Sequence, residues 1–302
     1  MNRERRFALE ARLASAVGAL VARLPRRAML ALGRCLGRLW GWLDGRHRAI
    51  AADNLRRAFP DWDEARVQRT ARAVYAHFGQ VILDILWLER RSLDEALALT
   101  DPVGEEHPRS AIAEGRGALF FTCHLGNWEL QGLALGSIVG GAGVVGRPLD
   151  NPALDARLAA FRARGGNAFI SKHRALQQVM RLLREGKGVA FLIDQNVQAG
   201  DGIFVEFFGR PAATTTVVAA LAVKTGCPIV SGYSVLGRDG RYRLVYTPRI
   251  EWTPSGDRER DIADLTQVLT HRIESYVREA PEQWLWIHRR WKTQPGPGTS
   301  GR

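Results

Sequence analysis

From residue 118 onward the chain alternates short apolar runs with segments of helical periodicity, and no other feature constrains its fold as strongly. Residues 118–123 (ALFFTC) and 188–193 (GVAFLI) read as buried strands, and 143–145 and 167–170 as shorter ones. Residues 228–235 and 242–246 flank Arg238-Asp239-Gly240, a hairpin-type turn. Helices fill the gaps at 128–138, 152–164, 173–185 and 214–225, and a last one covers 257–279. This grammar predicts an α/β fold, a central mixed sheet flanked by helices. Before it, Val67, Ala71, Val74, Phe78, Ile82 and Ile85 recur at helical spacing and predict a helix over 63–90. With 302 residues, 46% of them hydrophobic, the chain can bury a sizeable core, which excludes a disordered or fibrous protein. Three scattered cysteines exclude a disulfide framework and a zinc cluster, and point to a reducing compartment.

The N-terminus is of another kind. Of a net charge of +12, most lies in residues 1–48, which hold eleven arginines against Glu4, Glu10 and Asp44. The longest uncharged run there, residues 13–22, is half what a spanning helix needs, and no signal-peptide pattern is visible. The segment reads as two amphipathic helices broken at Pro25. In the second, Met29, Leu32, Leu36, Leu39, Trp40 and Leu43 share one face, while Arg27, Arg34 and Arg38 fall on the other. Such a helix either docks on its own core or lies in the interface of an anionic bilayer. No nucleic-acid-binding motif accompanies the basic charge, so no nucleic-acid partner is expected. The expected division is an amphipathic helical appendage over 1–48, a catalytic domain over 49–294 and a frayed Pro/Gly tail over 295–302.

The informative segment is Cys123-His124-Leu125-Gly126-Asn127-Trp128-Glu129. It sets a histidine at the carboxyl end of a buried strand, where α/β sheets build their sites. Gly126 permits a tight turn, Asn127 suits a helix N-cap, and Glu129 falls in the first helical turn. Across that junction the Glu129 carboxylate can hold one imidazole nitrogen and leave the other to accept a hydroxyl proton. Asp194 ends a hydrophobic strand with a charge, which burial disfavours unless it is paired, so it reads as an active-site or structural ion-pair residue. Cys123 alternates away from His124 and reads as a buried structural thiol; Thr214 to Thr216 read as the N-cap of the next helix. No metal-ligand spacing is visible among the histidines, and neither a metal nor an organic cofactor is expected.

His124-Leu125-Gly126-Asn127-Trp128-Glu129 resembles the signature of the bacterial lipid A late acyltransferases, within the wider His-x4-Asp/Glu glycerolipid acyltransferase group. Further stretches are similar to the same family and follow in order. They are Gly146-Arg147-Pro148-Leu149-Asp150-Asn151-Pro152, the basic block Arg162-Ala163-Arg164-Gly165, and Asp194-Gln195 at a strand end. After them come Phe204-Val205-Glu206-Phe207-Phe208-Gly209, Ala213-Thr214-Thr215-Thr216 and the tryptophan-rich run from Pro281 to Lys292. The resemblance therefore covers nearly the whole chain. One departure is the N-terminus, where many members carry a clear transmembrane helix and this chain has the amphipathic pair.

The resemblance implies transfer of a fatty acyl group from acyl carrier protein to a hydroxyl of a lipid A precursor, at the cytoplasmic face of the bacterial inner membrane, with peripheral or monotopic attachment. It implies His124 as general base and Glu129 as the group that orients it. Arg162 or Arg164 would stabilise the oxyanion or an acceptor phosphate, and the two stay undivided at this point. Asn127, Arg147, Asp194 and Gln195 are expected at the substrate, with the Arg147 guanidinium suited to phosphate. Arg162, Arg164, Lys172, Arg174, Arg289, Arg290 and Lys292 are expected to form a basic rim for the acidic carrier protein. Two other readings share these residues. One is a lysophospholipid, ornithine-lipid or glycolipid acyltransferase using acyl-CoA or acyl carrier protein; the other is a non-catalytic basic protein that binds membrane or nucleic acid.

Overall fold

The computed structural model describes residues 2–172 and 175–295. Five helices open the chain: α1 (Arg3–Val21), α2 (Arg26–Leu43), α3 (Gly45–Ala58), α4 (Glu64–Leu88) and the short α5 (Leu93–Leu97). There follow β1 (Thr100–Val103), α6 (Glu106–Ala113), β2 (Ala118–Thr122), α7 (Trp128–Val139), β3 (Ala142–Gly146), α8 (Pro152–Ala163), β4 (Ala168–Ser171), α9 (Ala175–Arg184) and β5 (Gly188–Leu192). A hairpin of β6 (Ile203–Phe207) and β7 (Arg210–Thr214) comes next, then α10 (Val217–Thr225), β8 (Ile229–Leu236), β9 (Tyr242–Tyr246) and α11 (Arg258–Glu279).

The expected α/β architecture is present. Seven strands form one mixed sheet in the order β1-β9-β8-β2-β5-β3-β4, with β8 and β9 antiparallel and the other pairs parallel. Alternate residues of β2 feed opposite layers, as the strand period of two requires. Leu119 and Phe121 join the larger buried cluster with α4, α10, α11 and the C-terminal tryptophans, while Ala118 and Phe120 join the one under α7. The strand β1 and the β6–β7 hairpin lie outside the sequence expectations. β1 is a four-residue edge strand interrupted by Pro102, too short for a periodic signal. α10 begins at Val217, so Thr214 belongs to β7 rather than to a cap, and the N-cap Thr216 makes no side-chain capping bond.

The N-terminal helices are joined to the body. Met29 and Leu30 of α2 belong to the same buried cluster as Phe120 and Leu130. The contact with α4 runs along Gly33, Gly37 and Gly41, one turn apart on a face of its own. A Cβ at Gly37 would enter the Tyr75 carbonyl, so only glycine lets the two backbones approach this closely. Because glycines make the contact, much of the leucine and tryptophan stripe stays outside it. Leu36, Leu39, Trp40 and Leu43 are exposed, as are Leu9, Leu13, Val17 and Leu20 on α1. Among the described residues no helix is long and apolar enough to cross a membrane.

Candidate active site

Two neighbouring parallel strands build the centre of the site. Thr122 of β2 lies opposite Leu192 of β5, and two residues past each of these the chain reaches His124 and Asp194. The shared register delivers both side chains to one edge of the sheet, the carboxyl end where α/β sites form. His124 Nδ1 is 2.8 Å from Asp194 Oδ1, and the His124 backbone N–H donates to Asp194 Oδ2 at 2.9 Å. Trp284 Nε1–H gives Asp194 Oδ2 a third bond at 2.7 Å. Burial alone would raise the Asp194 carboxyl, but the His124 charge and these donors outweigh it and hold the group below its ordinary value. In the neutral imidazole, with Nδ1–H donating to the carboxylate, Nε2 carries the lone pair; it makes no hydrogen bond among the described residues.

Rigid supports hold the histidine turn. Gly126 has φ +61°, and a Cβ there would enter Ser234, so the tight turn requires glycine. The segment after α11 straps the turn from outside, through Gly126 N–H to Gln283 O at 3.1 Å and Leu285 N–H to His124 O at 3.1 Å. Asn127 is fully buried and occupied. Its Oδ1 caps α7 at Leu130 N–H, and its Nδ2 faces Asp84 of α4 at 3.4 Å. Asp84 is itself clasped by Arg26 of α2, at 2.5 and 3.3 Å. Asn127 thus acts as a cap, and the substrate contact expected for it is corrected to a structural one.

Glu129 does not orient His124. It lies buried in the first turn of α7 and forms a two-pronged ion pair with Arg162 of α8, Nε to Oε2 at 2.7 Å and NH2 to Oε1 at 2.6 Å. The cap at Asn127 starts a new helical axis, and Glu129 leaves it toward α8 rather than back toward the strand end. Arg164 separates from Arg162 as well. It donates to Leu88 O at 3.0 Å and Arg91 O at 2.7 Å, closing the C-terminus of α4, and does not line the site. Two residues apart on a helix, the two arginines point some 200° apart.

His124, Glu129 and Arg162 face a cavity of about 1150 Å³ whose wall is largely apolar, with Ile82, Leu86, Leu158, Val179 and Leu221 among its lining. Glu129 and Arg162 also border a narrow apolar space of about 50 Å³ under α7. Arg147, Lys172 and Gln195 line the larger cavity; Arg147 is exposed and paired with Asp150 at 2.7 Å. Arg290 is not part of a basic rim. It is buried against the Phe207 ring and donates to Ala213 O at 2.7 Å and Thr214 Oγ1 at 2.5 Å, holding the β6–β7 hairpin. Arg289 and Lys292 are exposed, whereas Arg174 and residues 296–302 lie outside the described residues. Cys123 is buried, and burial raises its thiol well above the ordinary value, with the Asp194 charge adding to the effect. Trp284 stood in the sequence only as part of the tryptophan-rich run, without its bond to Asp194, and Asp84 escaped the sequence reading. Asp84 had a signal, a lone acid between Leu83 and Ile85 in an apolar helix.

A histidine whose Nε2 is unengaged among the described residues and a guanidinium fixed by Glu129 line one largely apolar cavity, and the chain is an acyltransferase. It belongs to the bacterial lipid A biosynthesis acyltransferases, whose family profile matches residues 5–293. It is similar to the lipid A biosynthesis lauroyltransferase of Escherichia coli (strain K12), 30% identical over 91% of this chain and 89% of that protein. It is also similar to the lipid A biosynthesis palmitoleoyltransferase of the same strain, 26% identical over 91% and 89%. A phosphatidylinositol mannoside acyltransferase of Mycolicibacterium smegmatis is 24% identical over 74% of this chain and 71% of its own length.

Proposed function

We propose that this chain transfers a fatty acyl group from acyl carrier protein to a hydroxyl of a lipid A precursor, working at the cytoplasmic face of the bacterial inner membrane. The observation that carries the reading is the His124–Asp194 pair at the edge of a large apolar cavity. His124 Nε2 takes the proton of the acceptor hydroxyl, and the oxygen attacks the thioester carbonyl. Asp194 steadies the imidazolium formed. Arg162, held in place by Glu129, faces the negative charge of the oxyanion or of an acceptor phosphate. As the C–S bond breaks, the imidazolium returns the proton to the departing thiolate. The cavity wall takes acyl chains, Arg147 and Gln195 meet the acceptor at its mouth, and the exposed apolar residues of α1 and α2 seat the protein in the bilayer surface without spanning it. Lys172, Arg289 and Lys292 offer the basic surface an acidic carrier favours.

The test compares donors and acceptors with purified protein. Acyl carrier protein thioesters are expected to outperform the matching acyl-CoA at one ionic strength, and charge reversal at Arg289 and Lys292 to remove that advantage. Mass spectrometry of lipids from cells with and without the protein is expected to show one acyl chain added to lipid A. A shift on phospholipid or another glycolipid instead, as the mannoside acyltransferase likeness suggests, would reassign the acceptor, and equal use of acyl-CoA would reassign the donor.

A further inference from the structure

A second cavity, of about 540 Å³, opens where the end of α2 and the start of α3 meet the first half of α4. Its walls carry Arg38, Arg48, Arg69 and Arg72, with Trp42 at the lip and no acidic residue in the lining. The acids nearby are engaged elsewhere. Asp44 is bound to His47 at 2.9 Å, Asp53 to Arg57 at 2.9 Å and Glu64 to Arg56 at 2.8 Å. Arg38, Arg69 and Arg72 have no carboxylate within 4.0 Å among the described residues. Arg48 is fixed by donating to Gly41 O and to Trp42 O, the latter at 3.4 Å, so one guanidinium is positioned in advance. Four cations around one cleft repel each other unless an anion sits among them.

We propose that this cleft binds the phosphate of an anionic bilayer lipid, and the proposal rests on the membrane reading above. Guanidinium forks match phosphate oxygens in geometry as well as charge. What favours a lipid as the source is the apolar surface beside the arginines. Trp42 is 74% exposed, Leu43 68% and Leu39 52%, within one turn of Arg38 and Trp42 on α2. Tryptophan at headgroup depth with leucine below it is the arrangement that takes up a lipid's glycerol and first methylenes. The cleft is distinct from the acyl-transfer cavity, with which it shares no lining residue. Its role is to dock the N-terminal helices on one lipid at a set depth, beyond the diffuse attraction of a basic surface.

The experiment floats the full-length protein with vesicles of phosphatidylcholine alone and of phosphatidylcholine containing phosphatidylglycerol. The double variant Arg69→Gln/Arg72→Gln is compared with Arg27→Gln/Arg34→Gln, which removes the same charge from exposed sites outside the cleft. The cleft variant is expected to lose at least about tenfold more partitioning into the anionic vesicles than the other. Equal losses would mean a diffuse field and overturn the site. If the wild type floats with neither vesicle, the membrane reading fails, and the cleft is then read by melting temperature. Protection by short-chain phosphatidylglycerol, absent with equal inorganic phosphate and lost in Arg69→Gln/Arg72→Gln, would still support it. Equal protection by phosphate would overturn the lipid source. Normal flotation of the cleft variant with lost binding of acyl carrier protein would make the cleft a protein dock and sink the proposal.

Discussion

Asp194 Oδ1 lies 2.8 Å from His124 Nδ1, while the carboxylate of the histidine's own motif, Glu129, is held by Arg162 at 2.6 Å. The His-x4-Glu spacing therefore contributes to two paired units rather than one. His124 belongs to a hydrogen-bonded pair that spans two strands, and Glu129 to an ion pair that spans two helices.

Loss of either member of the first pair is expected to remove most activity while the fold persists. His124→Ala should lower kcat by about 10²–10⁴-fold, as loss of a general base does. Asp194→Asn should reach the same range by presenting the wrong tautomer of His124. Turnover of Asp194→Asn within threefold of the wild type, measured on a competent donor and acceptor, would remove Asp194 from the mechanism.

The second pair gives a different signature. Arg162→Ala leaves Glu129 as an uncompensated buried charge, a change that costs about 3–5 kcal/mol, and Glu129→Ala, which strands a partly exposed guanidinium on the cavity wall, should cost less. The double variant Glu129→Gln/Arg162→Met removes both charges and should regain much of that stability in denaturant unfolding. Acyl transfer should stay lost, because the proposed reaction uses the guanidinium. Recovery of activity together with stability would make the pair purely structural.

Stability should also fall in mild acid because of His77 on α4. Burial pushes its imidazole down to about 4, against a slight opposing effect of its 3.4 Å contact with Gly126 O. The unfolded chain then takes up the proton first. His77's contribution is fully present above about pH 6.5 and is lost between there and pH 4, about 1.4 kcal/mol per unit and about 3 kcal/mol in all. The lowered Asp194 carboxyl acts in the same sense but in a lower window, stabilising above the ordinary carboxylate value and losing that contribution as the pH falls further. Unfolding curves of His77→Gln from pH 7 to 4 should be flatter than those of the wild type, and an unchanged slope would assign the acid sensitivity elsewhere.

Attachment to membranes should depend on side chains rather than on a removable segment. Since Met29 and Leu30 are core residues, deleting the N-terminal helices would damage the fold itself. Leu39→Ser/Trp42→Ser/Leu43→Ser keeps the buried glycine face and should weaken vesicle binding about tenfold or more, given about 25 cal/mol for each Å² of apolar surface kept from water. Unaltered sedimentation with vesicles would place the anchor on another face.

Much of this was legible in the sequence. Residues 118–123, but for Thr122, and 188–193 are apolar because strands buried on both faces have no polar side, and their length and bounding glycines mark them as strands. His124 at a strand end and Asn127 as a cap follow from local chemistry, since a tight turn and a helix start each need particular residues within a few positions. What only the tertiary structure decided is partnership. His124 and Asp194 are 70 positions apart and meet because β2 and β5 are neighbours in parallel register. Which strands become neighbours is set by packing of the whole sheet, and no local period encodes it. The same holds for α2. Its leucine stripe is plain in the sequence, but a backbone contact through Gly33, Gly37 and Gly41 carries no hydrophobic signal, and that contact turned the stripe outward.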